Sequence, residues 1–287
     1  MNNILITGSN GQLGSELRAL EAEYTNYNFI FTKTTKLDII NHKVVEEFIN
    51  AHKINFIINC AAYTAVDKAE TQFVIADKIN HLAVANLARI AKENNIKLIH
   101  ISTDYVFDGT SHKPYAEKDP QNPQSVYGKT KFDGEKAIIK INPANSIIIR
   151  TSWLYSRYGN NFVKTMLRLG KERDELNVVA DQIGTPTNAA DLAKAILTSL
   201  PQIKNKIVEL YHYSNEGVCS WYDFAKAIFE IKELAINVKP IESTQYPTPA
   251  KRPFYSVMNK RLIKATYKIR IPYWKDSLAA CLRKIEL

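Results

Sequence analysis

The chain has 287 residues, of which 45% are hydrophobic and 23% are charged, the composition of one large or two ordinary globular domains. This excludes a disordered, collagen-like or coiled-coil protein, and no apolar run reaches the roughly 18 residues that span a membrane. The net charge of +9 attracts anions, but the lysines are scattered along the chain, so we expect no nucleic-acid and no membrane partner.

Short apolar segments alternate with helical segments in the first half of the chain. We predict strands at Asn3–Thr7, Asn28–Thr32, Phe56–Asn59, Leu98–Ser102 and Ser146–Arg150. We predict helices from the first glycine turn through Ala22, and at Val44–His52, Val74–Asn94 and Val126–Lys140. Apolar strands separated by helices indicate a parallel sheet covered on both faces. The predicted fold is therefore α/β, a Rossmann-type doubly wound parallel sheet that binds ligands beyond the carboxyl ends of its strands.

The regular alternation ends near Arg150. Two proline-bearing segments follow, at 181–188 and 245–253. Helices are predicted at Phe162–Lys171, Ala190–Leu200 and Trp221–Ile231. We expect residues 1–150 to form a dinucleotide-binding domain. Residues 151–287 are expected to be mainly a smaller substrate-binding domain, interleaved with the sheet.

A glycine-rich turn follows the first predicted strand and opens the first helix. Its spacing is GxxGxxG rather than the GxGxxG of many dehydrogenases. Glycine permits positive φ angles and a close approach of backbone to a pyrophosphate, and the helix N-terminus favours the negative charge. A glycine triplet between a strand and a helix therefore predicts a dinucleotide site. The cofactor contacts predicted here are Gly8, Asn10, Gly11, Gln12, Leu13 and Gly14.

Two further segments lie where a bound dinucleotide would continue. Small residues follow the strand Phe56–Asn59, where a ribose could lie close to the backbone, and the segment 37–39 could lie beside an adenine. The cofactor contacts predicted in these segments are Asp38, Ile39, Ala61, Ala62 and Tyr63.

The end of the second predicted strand bears on the choice of cofactor. An acidic residue there would bind the ribose 2′-hydroxyl and repel a 2′-phosphate. This chain has Lys33 between two threonines and no carboxylate before Asp38. We therefore expect NADPH to be used at least as well as NADH.

Two tyrosines have a lysine four residues later, Tyr127 with Lys131 and Tyr222 with Lys226. Residues i and i+4 share a helix face, so either lysine could lie near its tyrosine. Tyr127 starts a helix after a strand that ends in a hydroxyl residue, Thr103, whereas Tyr222 has no such neighbour. We predict that Tyr127 and Lys131 are catalytic and that the second pair is a surface coincidence.

This set of residues suits the reduction of a ketone, which needs a hydride on carbon and a proton on oxygen. Tyr127 is predicted to be the general acid. Lys131 is expected to lower the pKa of the phenol and to hold the nicotinamide ribose. Thr103 is expected to hydrogen-bond the substrate oxygen and position it beside the hydride.

The motifs together resemble the extended short-chain dehydrogenase/reductase superfamily, and longer matches resemble its dTDP-4-dehydrorhamnose reductase family. The specific ones are STDYVFDG at 102–109 and YGKTK at 127–131. Further matches lie at 64–70, 150–153, 159–162, 181–187 and 247–253, so the resemblance extends from end to end.

The resemblance implies a substrate, the 4-keto sugar dTDP-4-dehydro-β-L-rhamnose, reduced to dTDP-L-rhamnose. It implies that Asp104 and Trp153 contact the sugar, with a strand-end cap and a core aromatic as the structural alternatives. We choose Arg252, in a proline-stiffened loop, for the diphosphate because a guanidinium suits phosphate; the alternative is a solvated surface arginine. The predicted substrate contacts are Val66, Thr103, Asp104, Tyr127, Trp153, Asn161 and Arg252.

Two other functions stay open. One is another nucleotide-sugar reductase or epimerase of the same superfamily; a dehydratase would usually carry Thr-Asp-Glu, whereas Asp104 is followed by Tyr105. The other is a non-catalytic NADP-binding regulatory subunit that resembles the β subunit of methionine adenosyltransferase. The presence of Thr103, Tyr127 and Lys131 together argues against the second.

Some members of the resembled family form dimers bridged by magnesium through glutamates. Here Ala190 occupies one glutamate position, and Asp191, one residue late, is turned about 100° away on a helix. Glu16 matches another ligand, and we expect it to be a solvated helix residue. We therefore expect no metal requirement, and a monomer rather than a weak dimer. The N-terminus lacks the basic segment of a signal peptide, and the three cysteines fit no disulfide or zinc spacing, so we expect a cytoplasmic protein.

Overall fold

The computed structural model describes residues 1–286, and within them the chain forms twelve β-strands and eleven α-helices. The strands are β1 (Asn2–Thr7), β2 (Tyr27–Phe31), β3 (Ile54–Asn59), β4 (Lys97–Thr103), β5 (Ile147–Thr151), β6 (Leu154–Tyr155), β7 (Glu175–Val179), β8 (Ile183–Gly184), β9 (Thr187–Asn188), β10 (Glu209–His212), β11 (Cys219–Ser220) and β12 (Asn237–Ile241). The helices are α1 (Gln12–Ala19), α2 (His42–Ala51), α3 (Val66–Ala69), α4 (Phe73–Asp77), α5 (Ala83–Glu93), α6 (Val126–Ile141), α7 (Phe162–Glu172), α8 (Ala189–Ser199), α9 (Trp221–Ile231), α10 (Arg261–Tyr267) and α11 (Trp274–Leu282).

Six parallel strands form the central sheet, in the order β10-β5-β4-β3-β1-β2. Alternate residues of each strand enter opposite apolar layers, because successive side chains point to opposite faces. In β1, Ile4 and Ile6 pack with α1 and α8, whereas Leu5 packs with α2, α5 and α6. The predicted doubly wound parallel sheet is confirmed.

The second half of the chain has its own apolar cluster and also completes the sheet. Phe224 of α9 lies in that cluster, with side chains from α7, α11, β7 and β12. Strand β10 pairs with β5 in the central sheet, so the sheet takes one strand from beyond residue 150. The division of the chain into two domains at that residue stays a prediction.

Two predicted helices differ from the observed ones. The first ends at Ala19, and a short 3₁₀ turn, Glu21–Glu23, follows it. The long helix predicted at Val74–Asn94 is divided by a π-helical segment, Lys78–Leu82, between α4 and α5. Such segments are rare and are often found near functional sites. A π-helical turn holds one residue more than an α-helical turn. The pattern of apolar residues did not reveal it, because the helix keeps an apolar side before and after the turn.

In the part of the chain that is described, none of the helices has both the length and the apolar character needed to cross a membrane.

Candidate active site

A cavity of about 1270 Å³ lies at the carboxyl ends of β1, β3, β4 and β5. Most of the residues predicted from sequence line it: Gly8, Asn10, Gly11, Gln12, Leu13, Gly14, Asp38, Ile39, Ala61, Ala62, Val66, Thr103, Asp104, Tyr127, Lys131, Trp153 and Asn161. Tyr63 and Arg252 are not among its lining residues.

The glycine turn brings the loop after β1 against the loop after β3. Gly8 has a φ of +62°, and a Cβ placed on it would lie 2.7 Å from Cα of Ala61. A Cβ on Gly14 would lie 2.5 Å from Cα of Ser9, so α1 also needs glycine to pack on the turn. No side chain caps the start of α1 at Gly11, which leaves its first N–H groups for an anion. The turn therefore fits the pyrophosphate of a dinucleotide.

The cavity continues along the loop after β2. Lys33, Thr34 and Thr35 line it beside Asp38 and Ile39. The Asp38 carboxylate accepts a hydrogen bond from the backbone N–H of Ile40 at 3.0 Å, which shapes this loop. The wall therefore carries one lysine and two hydroxyls where an adenosine ribose would lie.

Tyr63 was predicted to contact the cofactor, but its hydroxyl donates to Oε1 of Gln72 at 2.7 Å. Its backbone is held instead by Asn80, a fully buried residue of the π-helical segment. The Asn80 amide accepts from the N–H of Tyr63 at 2.8 Å and donates to its carbonyl at 3.1 Å and to the Thr130 hydroxyl at 3.2 Å. Asn80 thus ties the loop after β3 to α6, a role that the sequence analysis missed. Asn80 stands among other polar residues, Asp77, Lys78 and His81, so the sequence carried no signal for this role.

The start of α6 is set by two side-chain caps. The Ser125 hydroxyl accepts from the N–H of Gly128 at 3.1 Å, and the Glu70 carboxylate accepts from the N–H of Val126 at 2.9 Å. A Cβ on Gly128 would lie 2.3 Å from the carbonyl oxygen of Tyr105, so α6 packs directly on the segment after β4. This packing places Tyr127 in the cavity wall with Thr103.

Burial controls the proton affinities of the Tyr127 and Lys131 pair. It raises the pKa of Tyr127 to about 12; the Thr103 hydroxyl lowers this pKa, and Asp104 raises it. Burial lowers the pKa of Lys131 to about 8, against the charge of Glu135, which raises it. The pKa of the phenol is raised and not lowered, because burial disfavours the charged form, and a lowering effect of Lys131 on it stays a prediction. Tyr127 keeps its proton at neutral pH.

Thr103 and Asp104 form a linked pair at the end of β4. The Thr103 hydroxyl donates to Oδ1 of Asp104 at 2.9 Å and accepts from the N–H of Tyr105 at 3.2 Å. The strand-end cap is therefore Thr103 and not Asp104. Burial raises the pKa of Asp104 to about 7, against hydrogen bonding from Thr103. Its Oδ2 atom is buried without a hydrogen-bond partner of good geometry among the described residues, and the Ser256 hydroxyl, also unpaired, lies close enough to lower the pKa of Asp104.

Trp153 forms one wall of the cavity in an unusual backbone conformation. Its φ is +48°, and its ring stacks on Trp221 with centroids 3.6 Å apart and planes 10° apart. A Cβ on Gly184 would lie 2.6 Å from this ring, so β8 also needs glycine here. Trp153 is thus both a packed aromatic and a lining residue of the site.

Asn161 and Gln12 join the glycine turn to the second half of the chain. The Asn161 amide donates to Oε1 of Gln12 at 3.0 Å and to the carbonyl of Ser156 at 2.7 Å. The Gln12 amide donates to the carbonyl of Leu154 at 3.3 Å. Both predicted ligand contacts therefore also hold the cavity together.

Arg252 lies outside the cavity wall and forms an ion pair. Its guanidinium donates to Oδ2 of Asp67 at 2.8 Å, and the N–H of Ala250 donates to Oδ1 of the same carboxylate at 3.2 Å. The Arg252 side chain is 24% exposed, so it is neither a fully solvated arginine nor a core residue.

Glu16, at one of the resembled family's metal positions, and Asp191, one residue after another, have other partners. Glu16 is only 5% exposed and accepts from the Ser156 hydroxyl at 2.6 Å, so the expectation of a solvated helix residue is wrong. Packing of α1 against the second half of the chain buries it. Asp191 accepts from the Asn215 amide at 2.8 Å and from the Ser277 hydroxyl. Across residues 1–286, no three His, Cys, Asp or Glu side chains are grouped to hold a metal ion.

The second tyrosine–lysine pair lies outside the site. Lys226 is exposed, and neither it nor Tyr222 lines the cavity, although their neighbours Trp221 and Phe224 do. The tyrosine-to-lysine spacing is the same in both pairs and did not distinguish them. The threonine at the end of the preceding strand, Thr103, did.

The central sheet is parallel, a glycine turn follows its first strand, and the half-buried Tyr127 lies with the buried Thr103 and Lys131 at its carboxyl edge. These features define a nicotinamide-dependent oxidoreductase of the extended short-chain class. Comparison with known sequences narrows this class, since residues 1–287 match the family described as the RmlD substrate binding domain. The chain belongs to this family, the dTDP-4-dehydrorhamnose reductases.

Several relatives resemble the chain along its whole length. A dTDP-4-dehydrorhamnose reductase of Aggregatibacter actinomycetemcomitans is 43% identical over 97% of each chain. The crystal structure of such a reductase from Clostridium acetobutylicum is 45% identical, with a TM-score of 0.93 over 98% of this chain and 99% of that one. The reductase of Bacillus anthracis, solved in complex with NADP, is 39% identical with a TM-score of 0.94 over 99% and 100% of the two chains.

Proposed function

We propose that this protein reduces the 4-keto group of dTDP-4-dehydro-β-L-rhamnose to dTDP-L-rhamnose, and that it uses NADPH at least as well as NADH. The observation that carries the proposal is the placement of Thr103, Tyr127 and Lys131 on one cavity whose other wall is the glycine turn. Membership of the reductase family supports the choice of a keto sugar nucleotide.

The cofactor residues fit a nicotinamide dinucleotide. The glycine turn offers N–H groups and a Cβ-free surface to the pyrophosphate, and Ala61 and Ala62 leave room for a ribose. When bound, the reduced nicotinamide supplies the hydride. The protein has to orient the reacting carbon, hold the carbonyl oxygen and deliver a proton.

Tyr127 delivers the proton to the carbonyl oxygen. Its raised pKa keeps the phenol protonated at neutral pH, as a general acid requires. The Thr103 hydroxyl gives its single proton to Asp104 in the free protein. When substrate binds, this hydroxyl turns to donate to the same carbonyl oxygen, while its own oxygen keeps the hydrogen bond from the N–H of Tyr105. Lys131 binds the nicotinamide ribose and holds it beside the phenol.

The use of NADPH is argued from the loop after β2. Lys33 and the hydroxyls of Thr34 and Thr35 line the cavity there, and they suit a 2′-phosphate. Measurement of kcat/KM with both cofactors tests this. A value for NADPH at least equal to that for NADH is expected, and a clearly higher value for NADH would refute this part of the proposal.

The sugar nucleotide occupies the part of the cavity between the two halves of the chain. Val66, Asp104, Trp153 and Asn161 line it, and we assign the sugar contacts to these side chains. We assign the diphosphate to Arg252, which exchanges Asp67 for the more highly charged phosphates when substrate binds.

The function is tested by mixing the purified protein with NADPH and the 4-keto sugar nucleotide, made from dTDP-glucose by coupled upstream enzymes. NADPH absorbance is expected to fall only when the keto sugar is present, and dTDP-L-rhamnose should appear in equal amount. dTDP-glucose, which has no keto group, is the control. A protein that binds NADPH but oxidises none of it would instead be a regulatory subunit.

A further inference from the structure

A row of buried polar side chains crosses three strands beneath α6, and the mechanism above does not use it. Thr7, Asn59 and His100 are register partners in β1, β3 and β4, so they lie on one face of the sheet. Each is at most 1% exposed. Polar groups at this depth need partners, since an unpaired buried group loses its hydrogen bonds to water without replacement.

The hydrogen bonds of the row have one direction. The N–H of Ala61 donates to the Thr7 hydroxyl at 3.3 Å, and that hydroxyl donates to Oδ1 of Asn59 at 2.6 Å. Asn59 therefore presents its amide N–H to Nδ1 of His100, 3.0 Å away. Because Nδ1 accepts, the proton of the neutral imidazole lies on Nε2. Burial and the nearby Lys131 keep the pKa of His100 well below its usual value, so the ring is uncharged.

The far end of the row meets the catalytic lysine. Nζ of Lys131 lies 3.3 Å from Nε2 of His100 and donates to the carbonyl of Ile101 at 2.6 Å, so both partners of the amine belong to β4. The titratable groups Glu135 and Cys60 also face this lysine. A proton on Nε2 favours the uncharged amine, in the same direction as burial.

We propose that His100 is a positioning residue for Lys131, oriented by Asn59 and Thr7. It touches neither cofactor nor substrate and acts by holding the lysine amine where the ribose and the phenol need it. The row also links this position to Ala61 in the cofactor loop. The inference rests on the proposed reaction.

Two substitutions of His100 separate positioning from simple packing. Glutamine places an amide near the location of Nε2 and keeps contact with Lys131, whereas asparagine places it near Nδ1 and keeps contact only with Asn59. His100→Asn is expected to lower kcat/KM for NADPH roughly tenfold, a typical loss for coupled polar residues, and His100→Gln much less. His212→Asn, at another fully buried histidine of the same sheet, is the control and should leave kcat/KM near the parent value. Equal losses at His100, or a larger loss with glutamine, would overturn the proposal.

A double-mutant cycle gives the second kinetic test. If His100 acts through Lys131, His100→Asn should cost nothing further in a Lys131→Met background. Additive losses would show that the histidine acts independently and would refute the positioning role.

Nitrogen NMR of histidine-labelled protein tests the contact without any assay of turnover. His100 is assigned by replacing the other five histidines in turn, and its Nε2 is expected to carry the proton and to shift in Lys131→Met but not in Lys226→Met. An unchanged signal, or a proton on Nδ1, would disprove the arrangement. If the parent protein oxidises no NADPH with the keto sugar, the proposed reaction fails, while this spectrum still decides the contact.

Discussion

Tyr127 and Tyr222 have the same spacing to a lysine and very different surroundings. The Tyr127 phenol is buried beside Thr103 and Asp104, and its pKa is raised to about 12. The Tyr222 ring lies at the edge of the second apolar cluster, outside the cavity. Of the two, only Tyr127 has its phenol in the cavity wall, where it can donate a proton to a bound ketone.

Tyr127→Phe is expected to reduce turnover by roughly 10²–10⁴, the usual contribution of a general acid. Binding of NADPH, measured by fluorescence titration, should be largely kept, because phenylalanine preserves the packing. Tyr222→Phe is the matched control and should turn over at the parent rate. Parent-like activity of Tyr127→Phe would show that another group delivers the proton.

Asp104 should make the stability of the protein depend on pH. Its pKa is raised from 3.8 to about 7 in the fold, so the folded state binds a proton that the unfolded state has lost between these values. This stabilisation is present below pH 3.8 and is lost as pH rises through 7, by at most about 1.4 kcal/mol per pH unit. The free energy of unfolding of Asp104→Asn, from urea titrations, should lack this decline.

Asp108 provides the opposite control. Hydrogen bonds from Thr110 lower its pKa, so its contribution is present at neutral pH and is lost on acidification. Relative to Asp108→Asn, the parent protein should therefore lose stability as pH falls. If the free energy of unfolding changes with pH in the same way in the parent and in Asp104→Asn, then Asp104 is already ionised between pH 3.8 and 7 in the folded protein.

Helix α6 is held against the π-helical segment without any space between them. A Cβ on Gly134 would lie 2.2 Å from the carbonyl oxygen of Asn80, a backbone atom that cannot rotate away. The same contact sets the depth of Tyr127 and Lys131, which lie on the first turns of α6. The π-helical segment and the catalytic helix are therefore one structural unit.

Gly134→Ala is expected to destabilise the protein by about 1–3 kcal/mol and to lower kcat, because α6 must move away from the π-helical segment. Urea unfolding and steady-state kinetics measure the two effects. In Gly170→Ala, on α7, the new methyl group meets the Phe229 ring at 2.7 Å, a side chain that can turn. A smaller loss is expected there. Equal stability losses in Gly134→Ala and Gly170→Ala would indicate that α6 can shift as easily as the Phe229 ring can turn.

The two halves of the chain are joined outside the cavity wall by the ion pair of Arg252 with Asp67, 185 residues apart in sequence. Arg252→Ala should raise KM for the sugar nucleotide much more than KM for NADPH, since we assign Arg252 to the diphosphate. Lys251→Ala, at the exposed neighbour, should change neither. Equal increases in both KM values would point to general damage of the cleft.

The whole molecule is expected to work without a divalent metal and as a monomer. Glu16, at one of the resembled family's metal positions, and Asp191, one residue after another, are hydrogen-bonded within the fold to Ser156, Asn215 and Ser277. Treatment with EDTA should leave both activity and solution mass unchanged. A fall in either that magnesium restores would show that these carboxylates give up their partners for the metal.

The sequence by itself determined the fold class and most of the site. Apolar strands separated by helices define a parallel sheet. The polar residues that follow its strands lie close together, because all the carboxyl ends are at one edge of the sheet. For that reason the glycine turn, Thr103 and Tyr127 could be placed together before any coordinates. These features are local: each depends on a strand, the turn after it and a helix start.

Only the tertiary structure decided how these groups behave. Burial overrode the expected effect of Lys131 on the phenol, and it removed Glu16 from solvent, because desolvation depends on what packs over a residue and not on its neighbours in sequence. Arg252 and Asp67 meet through the folding of the second half over the first. The Thr7, Asn59 and His100 row depends on the register of three strands far apart in the chain, which hydrophobic patterns do not encode beyond the choice of face.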